Sequence, residues 1–179
     1  MVYVFLADGF EIIEAMSPID MLRRAKVGVT TVGVNRELIT SSCGITVKAD
    51  ITSADFKFTD VEAIIIPGGM PGVLNLEKSE IVQSAIDEAV KCGALICAIC
   101  AGPSILGHKG LLKGRNAICY PGFEETLEGA IISNEHVVTD GNYITAKGAG
   151  VSVDFGLEIV RKLVGADEAE AVKSAIQCR

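Results

Sequence analysis

Tryptophan is absent and aromatic residues make up only 5% of this 179-residue chain, so its interior cannot rest on stacked rings. Ile, Val, Leu and Ala must fill the core instead, and they supply most of a hydrophobic fraction of 49%. Such a composition suits a parallel sheet covered by helices. Positive charge is also in deficit: 16 Lys and Arg face 23 Asp and Glu, a net charge of −7, with no basic cluster. This balance argues against nucleic acid as a partner, because phosphate binding relies on a basic face that releases counterions.

No apolar run approaches the roughly 20 residues of a membrane span, and Met1–Gly9 lacks the basic n-region of a secretory signal. No membrane partner is therefore expected, and the expected location is the cytoplasm. The six cysteines then read as thiols, which the cytosol keeps reduced. Cys97-Ala98-Ile99-Cys100 does spell C-x-x-C, but Cys97 lies inside an apolar run of strand type, where redox and zinc pairs do not normally sit. No second such pair completes a zinc site, and neither metal nor cofactor is expected.

The length suits one domain with a full core, so residues 1–179 are expected to form a single unit. Along it, apolar runs of strand length alternate with helical patterns, the mark of βαβ units. Strands are predicted at Val2–Leu6, Val29–Val34, Ala63–Ile66 and Ala94–Ile99, with a small hairpin or edge excursion around Ile39 and Ile45–Val47. A second hairpin is predicted around Asp140-Gly141-Asn142. Helices are predicted at Glu11–Ala25 with Gly28 as the stop, at Ser79–Lys91 with Ile81, Ala85 and Ala89 on one face, after Cys100, at Val151–Val164, and from Asp167 to about Gln177. The implied fold is an open, mostly parallel sheet with helices on both faces.

In such sheets ligands bind beyond the carboxyl ends of the strands, so the loops after Leu6, Ile66 and Ile99 should meet in one crevice. They carry Glu11 and Glu14, Gly68-Gly69, and Cys100. A strand, then Ala98-Ile99-Cys100-Ala101-Gly102, then a helix has the layout of a nucleophile elbow with cysteine in place of serine. The turn is tight, so strained dihedrals are expected at Cys100. The following helix start is expected to favour thiolate over thiol. The Gly69 and Ala101 amides can form an oxyanion hole. Glu14 lies on the same helical face as Glu11; buried beside the sulfur it would be a neutral acid donating a hydrogen bond to it, whereas taken alone either glutamate reads as a solvated surface residue. Histidine is the missing partner: His108 lies about 12 Å along a helix from Cys100, and spacing does not place His136.

Together, Ala98-Ile99-Cys100-Ala101-Gly102-Pro103, Ile66-Pro67-Gly68-Gly69, and Gly9–Glu14 with Pro18–Ala25 resemble the ThiJ/PfpI superfamily in their order and spacing. The likeness is strongest to its DJ-one branch and that branch's bacterial relatives. It implies a flavodoxin-like α/β fold, a three-layer sandwich of the class I glutamine amidotransferase type, and a homodimer. It also implies that Cys100 is an oxidisable nucleophile with Glu14 as its carboxyl partner and Gly69 and Ala101 as backbone donors, and that Arg24 and Tyr120 face the pocket. Two departures stand out. Ala101 replaces the histidine that follows the nucleophile in the protease branch, and Tyr120 replaces the histidine before the pocket-loop proline. Lys147-Gly148-Ala149-Gly150 resembles the family's Arg-Gly-Pro-Gly loop with two substitutions.

The implied function is glyoxalase or deglycase chemistry on a small carbonyl or glycated substrate. Thiolate addition would give a hemithioacetal, and Glu14 would move the proton for the rearrangement. The alternative is a redox sensor read out by oxidation of Cys100. A cysteine peptidase or amidase is the weakest reading, since Ala101 removes its general base.

Overall fold

The computed structural model describes residues 1–178, and a seven-stranded sheet forms its centre. In chain order the strands are β1 (Val2–Leu6), β2 (Val29–Gly33), β3 (Leu38–Thr40), β4 (Thr46–Lys48), β5 (Ile51–Thr52), β6 (Ala63–Ile66), β7 (Leu95–Ile99), β8 (Asn116–Ala117), β9 (Ile131–Ile132), β10 (Val137–Asp140) and β11 (Tyr143–Ala146). The α-helices are α1 (Ile12–Arg24), α2 (Gly72–Glu77), α3 (Glu80–Cys92), α4 (Pro103–His108), α5 (Ser152–Leu163) and α6 (Ala166–Ala175). Sheet order is β10-β11-β7-β6-β1-β2-β5, with only β10 antiparallel to its neighbour. Both predicted hairpins are present, as β3–β4 and β10–β11. Among the described residues no helix is long and apolar enough to cross a membrane.

Alternation along β1 builds two cores. Val2, Val4 and Leu6 pack with α1, α5 and α6, whereas Phe5 faces the layer of α3 and α4. All of β6 is fully buried, which is why it reads as an unbroken apolar run.

One helix stop and one helix face differ from expectation. Lys26, not Gly28, takes the left-handed position after α1, with φ 58°, and Val27 N–H then reaches Leu22 O at 2.9 Å. Gly28 is used differently: its carbonyl accepts Val2 N–H at 2.8 Å and ties the return into β2 to the start of β1. On α3 the buried face is Val82, Ala85, Ile86 and Ala89, leaving Ile81 38% exposed. Ile81 and Val82 are neighbours in sequence, and packing against β6 and β7 turns Val82 inward.

From β1 the chain builds outward to β2 and β5, then returns to the other side of β1 as β6. The switch point therefore falls between β1 and β6, and the crevice opens beyond their carboxyl ends. That is where the loops carrying Glu14, Gly68 and Cys100 meet.

Candidate functional site

Cys100 follows β7 directly, and its φ of 64° places a non-glycine residue in the left-handed region. That conformation costs roughly 1–2 kcal/mol and is held by the backbone around it. Cys100 N–H donates to Ala146 O at 2.9 Å, and Cys100 O accepts Tyr120 N–H at 2.8 Å. Gly102 is needed for the same turn, since a Cβ there would lie 2.7 Å from Ile66 O and 2.9 Å from Ile99 O.

Glu14 projects from the first turn of α1, whose start is capped by Glu11: the Glu11 carboxylate accepts Glu14 N–H at 2.8 Å. The Glu14 side chain is 0% exposed. Gly68 N–H donates to its Oε2 at 2.9 Å, and the Ala149 amide also faces it, while Oε1 has no partner. Burial raises this acid from 4.5 to about 7; the Cys100 thiol pulls it down, the Glu11 carboxylate adds to the rise, and the Gly68 and Ala149 amides oppose it. Thiol and carboxyl face each other, but their contact lacks the geometry of a well-formed hydrogen bond, which leaves Oε1 open.

The expected ease of ionising Cys100 is reversed. Burial first, then the charge of the Glu14 carboxylate, push its thiol up to about 12, and the Ala101 and Gly69 amides only partly offset them. The helix start is too weak to win, because α4 is only six residues long. Among the described residues neither of those two amides is taken by a carbonyl, so both remain aimed at the sulfur.

In the sequence Gly68 is marked only as part of a glycine turn, yet it joins the two reactive groups. A Cβ there would lie 2.5 Å from Glu14 Oε2 and 2.7 Å from Cys100 Cβ, so only glycine lets acid and thiol close around it. Its carbonyl also accepts Glu11 N–H at 2.9 Å, fastening the β6 loop to the start of α1. Ala149 was likewise missed, since a backbone amide leaves no side-chain signal.

The other expected residues separate. Tyr120 lies beside the site, bonded to Cys100 through its backbone, with its ring half exposed and against Gly148. Arg24 is not brought in: it pairs with Asp20 at 2.9 Å at the far end of α1, ten residues and roughly 15 Å from Glu14. His108 faces Glu77. His136 precedes β10, separated from β7 by β11, so about 10 Å of sheet lies between it and Cys100. Cys97 is buried within β7 and held protonated by that burial, which removes it as a redox partner.

The DJ-1/PfpI family model matches residues 1–162. The chain belongs to the DJ-1/PfpI family. Its family relatives include the zebrafish (Danio rerio) Parkinson disease protein 7 homolog, 34% identical over 178 residues, covering 97% of this chain and 94% of that protein. A glutathione-independent glyoxalase of Caenorhabditis elegans is 32% identical over 163 residues, covering 90% of this chain and 87% of that one. Among solved structures, oxidised Toxoplasma gondii DJ-1 superposes with a TM-score of 0.95 at 31% identity, covering 99% of this chain and 97% of that chain. A cysteine-to-alanine mutant of a DJ-1 superfamily protein from Salmonella typhimurium superposes with a TM-score of 0.94 at 32% identity, covering 99% and 98%. The three-layer α/β fold is thus the DJ-1/PfpI fold.

Proposed function

We propose that this DJ-1/PfpI protein is a cysteine-dependent enzyme of glyoxalase or deglycase type acting on small reactive carbonyls. The observation that carries the proposal is the pairing of a fully buried carboxyl, poised at about 7, with the half-buried Cys100 thiol. An acid near neutrality exchanges protons in both directions at ambient pH.

With Glu14 ionised and Cys100 protonated, the carboxylate takes the thiol proton as sulfur attacks the aldehyde carbon of a 2-oxoaldehyde. A C–S bond forms, the carbonyl oxygen becomes an alkoxide facing the Gly69 and Ala101 amides, and protonation by Glu14 gives the hemithioacetal. Glu14 then removes the proton on that carbon and returns it to the neighbouring one through an enediol. The first carbon is oxidised and the second reduced, leaving a thioester. Water cleaves the C–S bond, giving a 2-hydroxy acid and the free thiol, so the net change is addition of one water. Deglycation begins with the same attack on a glycated carbonyl. A homodimer accompanies this reading, and the exposed Ile13, Leu38 and Ile45 offer apolar surface for it.

A second reading, redox sensing, is favoured by the two free amides at the sulfur, which suit the oxygens of a sulfinate. Purified protein and Cys100→Ser, each given methylglyoxal with lactate measured, test the first reading. Lactate from the parent alone supports it; equal rates from both, or none from either, refute it.

A further inference from the structure

A groove of about 360 Å³ lies at the loop after β11, and Tyr120 on its wall donates its backbone N–H to Cys100 O at 2.8 Å. Tyr120, Pro121 and Val151 give it apolar walls, and among the described residues Lys147 is the only charged one on its lining. Ala146 pairs with Ile99 across β11 and β7, so Lys147 and Cys100 leave adjacent strands side by side, with main chains about 5 Å apart. Lys147 N–H donates to His136 O at 2.9 Å, which fixes the lysine's backbone at the groove. The residue is partly buried, and among the described residues no carboxylate lies within salt-bridge distance of its ammonium. A lysine on an apolar wall with no carboxylate beside it is free to take an anionic group from a ligand.

Resting on the aldehyde chemistry above, we infer that Lys147 selects the substrate's tail and that the site takes 2-oxoaldehydes bearing a carboxylate. The aldehyde carbon sits at the Cys100 sulfur, the body of the molecule lies between Tyr120 and Val151, and the carboxylate meets the ammonium. One positive charge matches one carboxylate. A phosphate dianion would call for a second cation, which the groove lacks. The reaction is unchanged: the 2-oxoaldehyde plus water gives the 2-hydroxy acid, with the carboxylate tail left intact.

Phenylglyoxal and 4-carboxyphenylglyoxal share a ring and differ in the tail. The test compares their kcat/KM in the parent, Lys147→Met and Lys147→Arg. The parent's preference for the carboxylated compound should fall about tenfold or more in Lys147→Met, through KM, and persist in Lys147→Arg. A preference untouched by Lys147→Met overturns the assignment, as does an equal loss on both compounds, the mark of a lysine that only balances charge near the thiol. If the parent turns over neither compound and makes no lactate from methylglyoxal, the aldehyde reading fails by itself. Benzoate titrated into Cys100→Ser, followed by the amide NMR signals of Gly148 and Gly150, then decides the subsite. Saturable shifts that vanish with Lys147→Met uphold it; no shifts overturn it.

Discussion

Replacing Glu14 by Gln should make the protein more stable at neutral and alkaline pH while stopping turnover. The acid is 0% exposed and is raised from 4.5 to about 7, mainly by burial. Each factor of ten in acidity is about 1.4 kcal/mol, so its ionised form costs the folded state about 3 kcal/mol. Because the folded state holds this proton more tightly than the unfolded chain, the effect has a definite sign. Below about pH 4.5 both states carry the neutral acid and nothing is lost. As pH rises through about 7 the unfolded chain has long been ionised, and the folded protein must either keep the proton or bury a charge.

Gln escapes this. Its oxygen can keep the bond from Gly68 N–H, and its NH2 replaces the partnerless Oε1. Urea melts of the parent and Glu14→Gln should therefore coincide near pH 4.5 and diverge to about 3 kcal/mol in favour of the variant near pH 8.5. For a chain of this length that is roughly 6–12 °C in Tm. Lactate production should disappear in the same variant, since an amide cannot cycle a proton. A stability difference independent of pH, or a less stable variant at pH 8.5, would refute the assignment of Glu14 as a buried acid.

Two further substitutions probe the geometry. Gly68→Ala puts a methyl group 2.5 Å from Glu14 Oε2 and 2.7 Å from Cys100 Cβ; it should destabilise by about 1–3 kcal/mol and abolish turnover even where the fold persists, and normal lactate rates would sink the claim that Gly68 sets the acid–thiol approach. At Cys100, φ 64° penalises any Cβ, so Cys100→Gly should unfold at higher urea than Cys100→Ala by about 1–2 kcal/mol; equal midpoints would mean the turn is unstrained.

The parts of this molecule legible in its sequence are those fixed by period and by chain order. Buried runs such as Ala63–Ile66 announce parallel strands, and the rule that ligands gather beyond strand ends brings Glu14, Gly69 and Cys100 to one crevice. What stayed illegible depends on distances through space. Nothing local to Cys100 says that a carboxylate distant in sequence will oppose its ionisation, or that Lys26 rather than Gly28 will turn the chain after α1. Arg24 misled for the same reason: a place in a motif does not state which way ten further residues of helix carry a side chain.

The Ala149 position shows how one such distance can be turned into a test. The family loop that Lys147–Gly150 resembles has proline where this chain has Ala149, and proline has no N–H to give. Here the Ala149 amide faces Glu14 and holds its pKa down, against burial and the Glu11 carboxylate, with Cys100 and Gly68 as the other groups acting on the acid. Proline fits the site. Ala149 opens a short 3₁₀ turn, where proline is at home, and Gly148 before it is extended, at φ 164° and ψ −173°, as a residue preceding proline prefers. Ala149→Pro should therefore preserve the fold and move one quantity. In the parent, kcat/KM for methylglyoxal should rise with pH through about 7 as Glu14 ionises and the carboxylate becomes available to the thiol. With the amide removed, the same limb should shift to higher pH, while the plateau rate changes little. A limb that moves to lower pH or stays fixed would show that the Ala149 amide is not a donor to this acid, and that burial, Cys100, Glu11 and Gly68 set its proton without it.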